Sequence, residues 1–228
     1  MNYLAIDVGG TFTKYAVITE KCTILVKDKT PTKQDSLEVF VESLVDITEA
    51  VREEYEIEGV ALSMPGIIDS KRGFMYTGGS LFCINNVNMV EILEQRLRVP
   101  VTVENDAKCA ALAELWKGAV KDCRNAVVVV CGTAVGGAVI CNREIVSGKN
   151  FMAGEISYIL TDSEAEYRMS NCLAETAGAS ALLRSVSEET GIPAEELSGE
   201  KAFSLANKGD EKALKGIRKH AKRLAVQI

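Results

Sequence analysis

The sequence has one histidine, His220, and no Cys-x-x-Cys pair among its seven cysteines. Cysteine and histidine spacing suited to a zinc site is therefore absent, and no zinc is expected. The cysteines, at 22, 83, 109, 123, 131, 141 and 172, lie mostly in apolar or strand-like runs and read as reduced core thiols. No apolar run reaches the ~20 residues that a membrane-spanning helix needs. Positive charge is not in excess: the net charge is −6 and the pI about 5.1, which argues against a nucleic-acid partner held by bulk charge. The chain starts directly on a strand-like pattern, so no leader peptide and a cytoplasmic setting are expected.

What remains is an ordinary soluble composition, 47% hydrophobic and 25% charged over 228 residues, enough for one large domain or two small ones. Tyr3–Val8, Thr13–Ile18 and Thr23–Val26 read as strands, with Pro31 in the loop that follows. From Leu37 to Tyr55 the apolar residues recur at helical spacing, with Asp35 and Glu38 as the cap. Gly59–Ser63 is a short buried strand, and 64–86 a long loop punctuated by Pro65, glycines and paired asparagines. Met89–Arg98 is helical, Pro100–Val103 a strand, and Asn105–Lys117 an alanine-rich helix. Val127–Cys131, a GTAVGG turn and Ala138–Cys141 then repeat the opening theme. Arg143–Val146 is a third strand, and helices follow at about 170–189, 194–206 and 210–228. The second half restarts like the first but supplies no further strands, an incomplete internal duplication. The division is placed in 117–125, giving domains of 1–118 and 119–228.

Two glycine hairpins stand out, DVGGT at 7–11 and GTAVGG at 132–137. Either alone is an ordinary hairpin turn. Neither is a Walker A loop or a dinucleotide fingerprint, both of which continue into a helix. As a facing pair, their backbone N–H groups and threonine hydroxyls suit a polyphosphate held from both sides. Asp7 is placed to hold Mg²⁺ through water, and Lys14 to offer a cation. Asn105-Asp106 lies where a strand passes into a helix. Asp106 reads either as a helix-start acid favoured by the dipole, or as a base facing a ligand crevice and taking the proton of an attacking hydroxyl. Asn105 beside it suits neighbouring hydroxyls.

In order, D-V-G-G-T-x-x-K, S-M-P-G-I-I-D, P-V-T-V-E-N-D-A-K-C-A-A-L-A-E, G-T-A-V-G-G-A and A-G-E (153–155) resemble the ROK family of sugar kinases and related regulators, over about residues 3–160. The resemblance implies an α/β, actin-like ATPase fold: two RNase H-like domains with a cleft. It implies ATP- and Mg²⁺-dependent phosphorylation of a hexose, usually at the 6-hydroxyl, and a homodimer. By motif position Asp106 resembles the catalytic base. Asn105 and Glu155 resemble sugar ligands, and Gly66 lies in a loop lining the sugar site. Asp7, Gly9, Gly10, Thr11 and Lys14 match the first phosphate loop, and Gly132, Thr133 and Gly136 the second.

Three departures accompany it. The family's zinc-binding histidine is Tyr158 here, and the stretch 161–172 has one cysteine, as in a zinc-free branch. Tyr158 is either a wall residue or a hydroxyl offered to the sugar. The family's next sugar glutamate aligns with Ala174, with Glu175 one residue later and turned by ~100° on a helix; either Glu175 serves after local adjustment or the contact is lost. Family kinases also continue beyond position 228, so the second domain is expected to lack its last strands. A non-catalytic sugar-binding or sensing protein is the alternative function.

Overall fold

The computed structural model describes residues 1–162 and 164–228. Ser163, in the stretch expected to replace a zinc loop, lies outside the described residues. The chain divides into two compact units, 1–113 with 147–152, and 114–146 with 153–228.

The first unit opens with an antiparallel meander, β1 (Asn2–Val8), β2 (Phe12–Thr19) and β3 (Ile24–Pro31). Helix α1 (Leu37–Arg52) carries the chain to β4 (Gly59–Met64), which pairs parallel with β1. Short strands β5 (Ile68–Asp69), β6 (Phe74–Met75) and β7 (Val87–Asn88) follow, then α2 (Met89–Leu97), β8 (Val101–Asn105) and α3 (Asp106–Lys117). The main sheet runs β3-β2-β1-β4-β8, with β8 parallel to β4. Period-2 alternation sends Leu4, Ile6 and Val8 of β1 inward, where they meet Phe40, Leu44 and Ile47 of α1 and Leu93 and Leu97 of α2 in one core.

Three local expectations are corrected here. Strand β3 is longer than Thr23–Val26 and takes in Pro31. It is a sheet edge with hardly any buried side chain, so it carries no apolar alternation, and an edge tolerates proline. The cap of α1 is Ser36, whose Oγ accepts the Val39 N–H at 3.2 Å, rather than Asp35. The 64–86 loop contains β5 and β6, which with β7 form a small antiparallel sheet. Two-residue strands are too short to show a period.

The second unit holds β9 (Ala126–Cys131), β10 (Val135–Cys141) and β11 (Glu144–Ile145), in the order β11-β10-β9. The α-helices that follow are α4 (Leu173–Thr176), α5 (Ala179–Thr190), α6 (Gly199–Asn207) and α7 (Glu211–Ala225). The single helix expected over 170–189 is broken at Gly178. A Cβ there would run into the carbonyls of Thr133 and Ala174, so the chain can pass the β9–β10 turn only as glycine. Gly216 does the same for helix packing: its Cβ would lie 2.6 Å from Val186 Cα, which lets α7 seat closely on α5. The cysteines are less buried than their apolar neighbours suggested. Cys172 is buried, whereas Cys123 ahead of β9 and Cys131 and Cys141 at the ends of β9 and β10 are exposed.

Candidate phosphate and sugar-binding site

In the first unit, β1, β4 and β8 are parallel and in register, Asp7 opposite Ser63 and Ser63 opposite Glu104. Their C-terminal ends therefore release three connections together: the Gly9–Thr11 turn, the Pro65–Gly66 turn and Asn105-Asp106. This is the edge of an α/β sheet where ligands are usually met.

The Gly9–Thr11 turn is tied from behind. Gly9 N–H donates to Phe12 O at 3.0 Å, Thr32 Oγ donates to Gly9 O at 2.7 Å, and Thr32 N–H donates to Thr11 O at 3.0 Å. A Cβ on Gly9 would sit 3.1 Å from Phe12 O. Asp7 accepts Ser63 Oγ at 2.8 Å on one oxygen and faces Lys14 Nζ at 3.3 Å with the other. Its side chain stays half exposed, so it retains room to accept a metal-bound water. Lys14 is more exposed still, and the pair is a weak surface ion pair that leaves the ammonium available. The adjacent outer sheet face, floored by Ala5, Ala16 and Ala61, forms an open hollow of about 900 Å³. Cys109 borders it. Burial, with the nearby Glu104 charge, pushes its thiol up to about 12, so it stays protonated and is no nucleophile.

Asn105 is buried and acts at both ends of its side chain. Its Oδ1 accepts the Lys108 N–H at 3.2 Å, capping α3, and its Nδ2 donates to Gly66 O at 3.1 Å. Gly66 has φ +107, and a Cβ there would collide with the Thr77 carbonyl. The sequence pattern thus fixes a glycine for geometry and an asparagine to hold it. Asp106 is the first residue of α3 and is exposed; one carboxylate oxygen accepts the Ala107 N–H at 2.8 Å.

In the second unit Gly132, Thr133 and Gly136 lie on the β9–β10 hairpin. Gly132 N–H donates to Ala134 O at 2.9 Å, and Ala179 N–H at the start of α5 donates to Gly132 O at 2.9 Å. Glu155 and Tyr158 come together on one short 3₁₀ turn. Glu155 Oε1 accepts Ser157 Oγ at 2.6 Å. Burial, then the Glu155 charge, raises the Tyr158 phenol above its ordinary value, so its hydroxyl keeps its proton and can donate. Gly154 sets this turn against β10: with φ +82, a Cβ would lie 2.8 Å from Ala138 Cα and 2.9 Å from Val139 N. Glu175 is exposed on α4, Ala174 before it is buried, and the Glu175 carbonyl accepts Arg184 Nη2 at 2.9 Å.

Ser63, Thr32, Gly154 and Lys108 support these groups, and reading the sequence did not single them out. The signal for Ser63 was available in principle, since aligning β1 with β4 pairs it with Asp7.

The ROK family model matches residues 3–228. A β-glucoside kinase of Listeria monocytogenes is 34% identical over 206 residues, 90% of this chain and 69% of that protein. The crystal structure of a ROK family protein of Streptococcus pneumoniae in complex with sucrose superposes with a TM-score of 0.80 at 30% identity, over 100% of this chain and 74% of that one. A ROK family glucokinase of Streptomyces griseus, solved with glucose and AMPPNP, gives a TM-score of 0.86 at 22% identity, over 100% and 78%, a likeness of fold. The fold is that of these kinases, the actin-like ATPase fold. Matched across nearly its whole length and at a third identity to a curated kinase, the chain belongs to the ROK family.

Proposed function

We propose that the chain is an ATP-dependent sugar kinase that passes the γ-phosphoryl group to a hexose hydroxyl, the one at position 6. The observation that carries this is the single sheet edge of the first unit, where the Gly9–Thr11 turn and Asn105-Asp106 emerge on either side of the Pro65–Gly66 turn. Kinship to a β-glucoside kinase supports it.

In this reading Asp106 orients the attacking hydroxyl and takes its proton late, as a loose phosphoryl-transfer transition state requires. Asn105 offers the hydroxyls its second amide hydrogen while holding the Gly66 loop in place. Glu155 and the protonated Tyr158 hydroxyl are further sugar ligands, and Glu175 a contact from the exposed side of α4. The backbone of Gly9, Gly10 and Thr11, with Lys14, receives phosphate oxygens, and Gly132, Thr133 and Gly136 receive them from the second hairpin. Asp7 fits Mg²⁺ held through water, because it is half exposed and already oriented by Ser63. When bound, Mg²⁺ neutralises charge on the phosphates. The domains of this reading are 1–118 and 119–228. The kinase is cytoplasmic, where ATP is, and homodimeric. Its acidic balance supports the absence of a nucleic-acid partner, and none of the described helices is long and apolar enough to cross a membrane.

A sugar-binding or sensing protein without turnover is the second reading. What favours it is the sugar glutamate expected on α4: its motif position is held by the buried Ala174, and Glu175 lies one residue later on the exposed side. An ATP-consumption assay over hexoses, N-acylhexosamines and β-glucosides separates the two. The kinase reading expects sugar-dependent ADP release with at least one of them. Thermal stabilisation by a sugar with no ADP release favours the sensor.

A further inference from the structure

Lys108 is a charged side chain in a buried place. It is 3% exposed, and lysine is rarely found so unless its ammonium is hydrogen-bonded. Its Nζ donates to the carbonyl of Phe151 at 2.8 Å. Its backbone N–H is held by Asn105 Oδ1 at 3.2 Å. One residue therefore joins the Asn105-Asp106 turn to Ser147–Met152, the excursion of chain that belongs to the first unit.

Phe151 is itself constrained. Its φ is +61, in the left-handed region that bulky residues avoid unless their surroundings fix them there. Its ring stacks on Tyr76, with centroids 5.5 Å apart and planes 18° from parallel. Tyr76 N–H donates to Ile67 O at 2.9 Å, next to Gly66, and Gly66 O accepts Asn105 Nδ2 at 3.1 Å. The contacts close a ring: Gly66, Asn105, Lys108, Phe151, Tyr76 and back through Ile67. Three stretches far apart in sequence are locked by it. Two of them hold residues assigned to the sugar, Gly66 and Asn105, and the third leads directly into Ala153–Glu155.

We propose that Lys108, acting through Phe151, is a positioning residue for sugar binding: it closes this ring and so fixes both the Gly66 loop and the point from which the chain runs on to Glu155. The inference rests on the sugar-kinase reading of the site. Lys108 touches no reacting atom in it.

Lys108→Met keeps the length of the side chain and removes its donor. A hydrogen bond from a charged group corresponds to roughly ten- to a hundredfold in an equilibrium constant. The KM for the responding sugar is therefore expected to rise about tenfold or more, with the KM for ATP and the kcat at saturating sugar held within about twofold. A role confined to folding would instead lower the active fraction, and with it kcat, and leave the sugar KM in place. Tyr76→Leu opens the same ring at a residue 36% exposed, and is expected to raise the same KM by a smaller factor. Because the two act in one ring, the double variant should fall short of the product of the single effects. Hydrogen exchange of the full chain, read on peptides from 147–158, should be about tenfold faster in Lys108→Met, with the β1–β2 hairpin unchanged. Unchanged exchange there, or a sugar KM unmoved in both variants, overturns the proposal. Wild-type protein that neither binds nor phosphorylates any sugar would instead sink the kinase reading, and the exchange comparison would still decide whether Lys108 holds the segment.

Discussion

The hairpins at Gly9–Thr11 and Gly132–Ala134 are alike in sequence and are closed by the same kind of bond, a glycine N–H donating across the turn at 3.0 and 2.9 Å. Their foundations differ. The first stands on a five-stranded sheet whose core joins Leu4, Ile6 and Val8 to two helices. The second stands on three strands among the described residues, with Val135, Leu173 and Ala177 clustered beneath it. Its outer strand β9 leaves Val127 63% exposed. Turn chemistry is local and repeats easily, whereas the apolar burial that stiffens a turn depends on what the rest of the chain brings to it. Close approaches made possible by glycine occur in both units, at Gly66 and Gly78 in the first and at Gly154, Gly178 and Gly216 in the second.

The largest expected effect sharpens that contrast. Gly154→Ala forces a Cβ against the backbone of Ala138 and Val139 at a positive φ, and should cost about 2 kcal/mol or more. Gly10→Ala, whose Cβ would meet Ser80 Oγ at 3.4 Å, should stay within about 0.5 kcal/mol. Denaturant unfolding of both variants measures the difference, and equal midpoints would break the comparison. A smaller effect tests the ties behind the first hairpin. Thr32→Val loses the bond to Gly9 O and the contact with Thr13 Oγ at 3.1 Å, and should cost about 1 kcal/mol. Exchange at the amides of 9–13 should quicken while 132–137 stays as in wild type.

The smallest effect belongs to the second unit and follows pH. His220 on α7 has a buried Nδ1 without a hydrogen-bond partner among the described residues. Burial, and then the Arg223 charge, lower its pKa below the ordinary 6.5. The unfolded chain then takes up a proton that the folded chain resists. Stability is fully held above pH 6.5 and declines as the pH falls toward the folded value. His220→Gln should show a flatter dependence of Tm on pH just below 6.5, and identical slopes would remove His220 from the explanation.

The strands β1, β2 and β4, the helices α1 to α3 and the two glycine turns were legible because their signals are local: period 2, period 3.6, and glycine where a turn is needed. Strand β3 beyond Val26 was hidden because an edge strand buries little and so carries no pattern. The supports of the site were hidden for another reason. Asp7 and Ser63 are 56 residues apart in sequence, Gly9 and Thr32 23 apart, and Lys108 and Phe151 43 apart. A serine, a threonine and a lysine of ordinary type acquire meaning only when the register of the sheet or the path of a loop brings them to a partner. The break at Gly178 shows the same rule for helices, since its cause is the hairpin turn lying against it.

Asp106→Asn, assayed with whichever sugar supports ADP release, tests the proposed chemistry most directly. If Asp106 takes the proton of the attacking hydroxyl, kcat falls by about 10²-fold or more, while sugar affinity measured by calorimetry without ATP is retained. Undiminished turnover in Asp106→Asn, or loss of sugar binding in step with loss of turnover, would show that Asp106 is not the base.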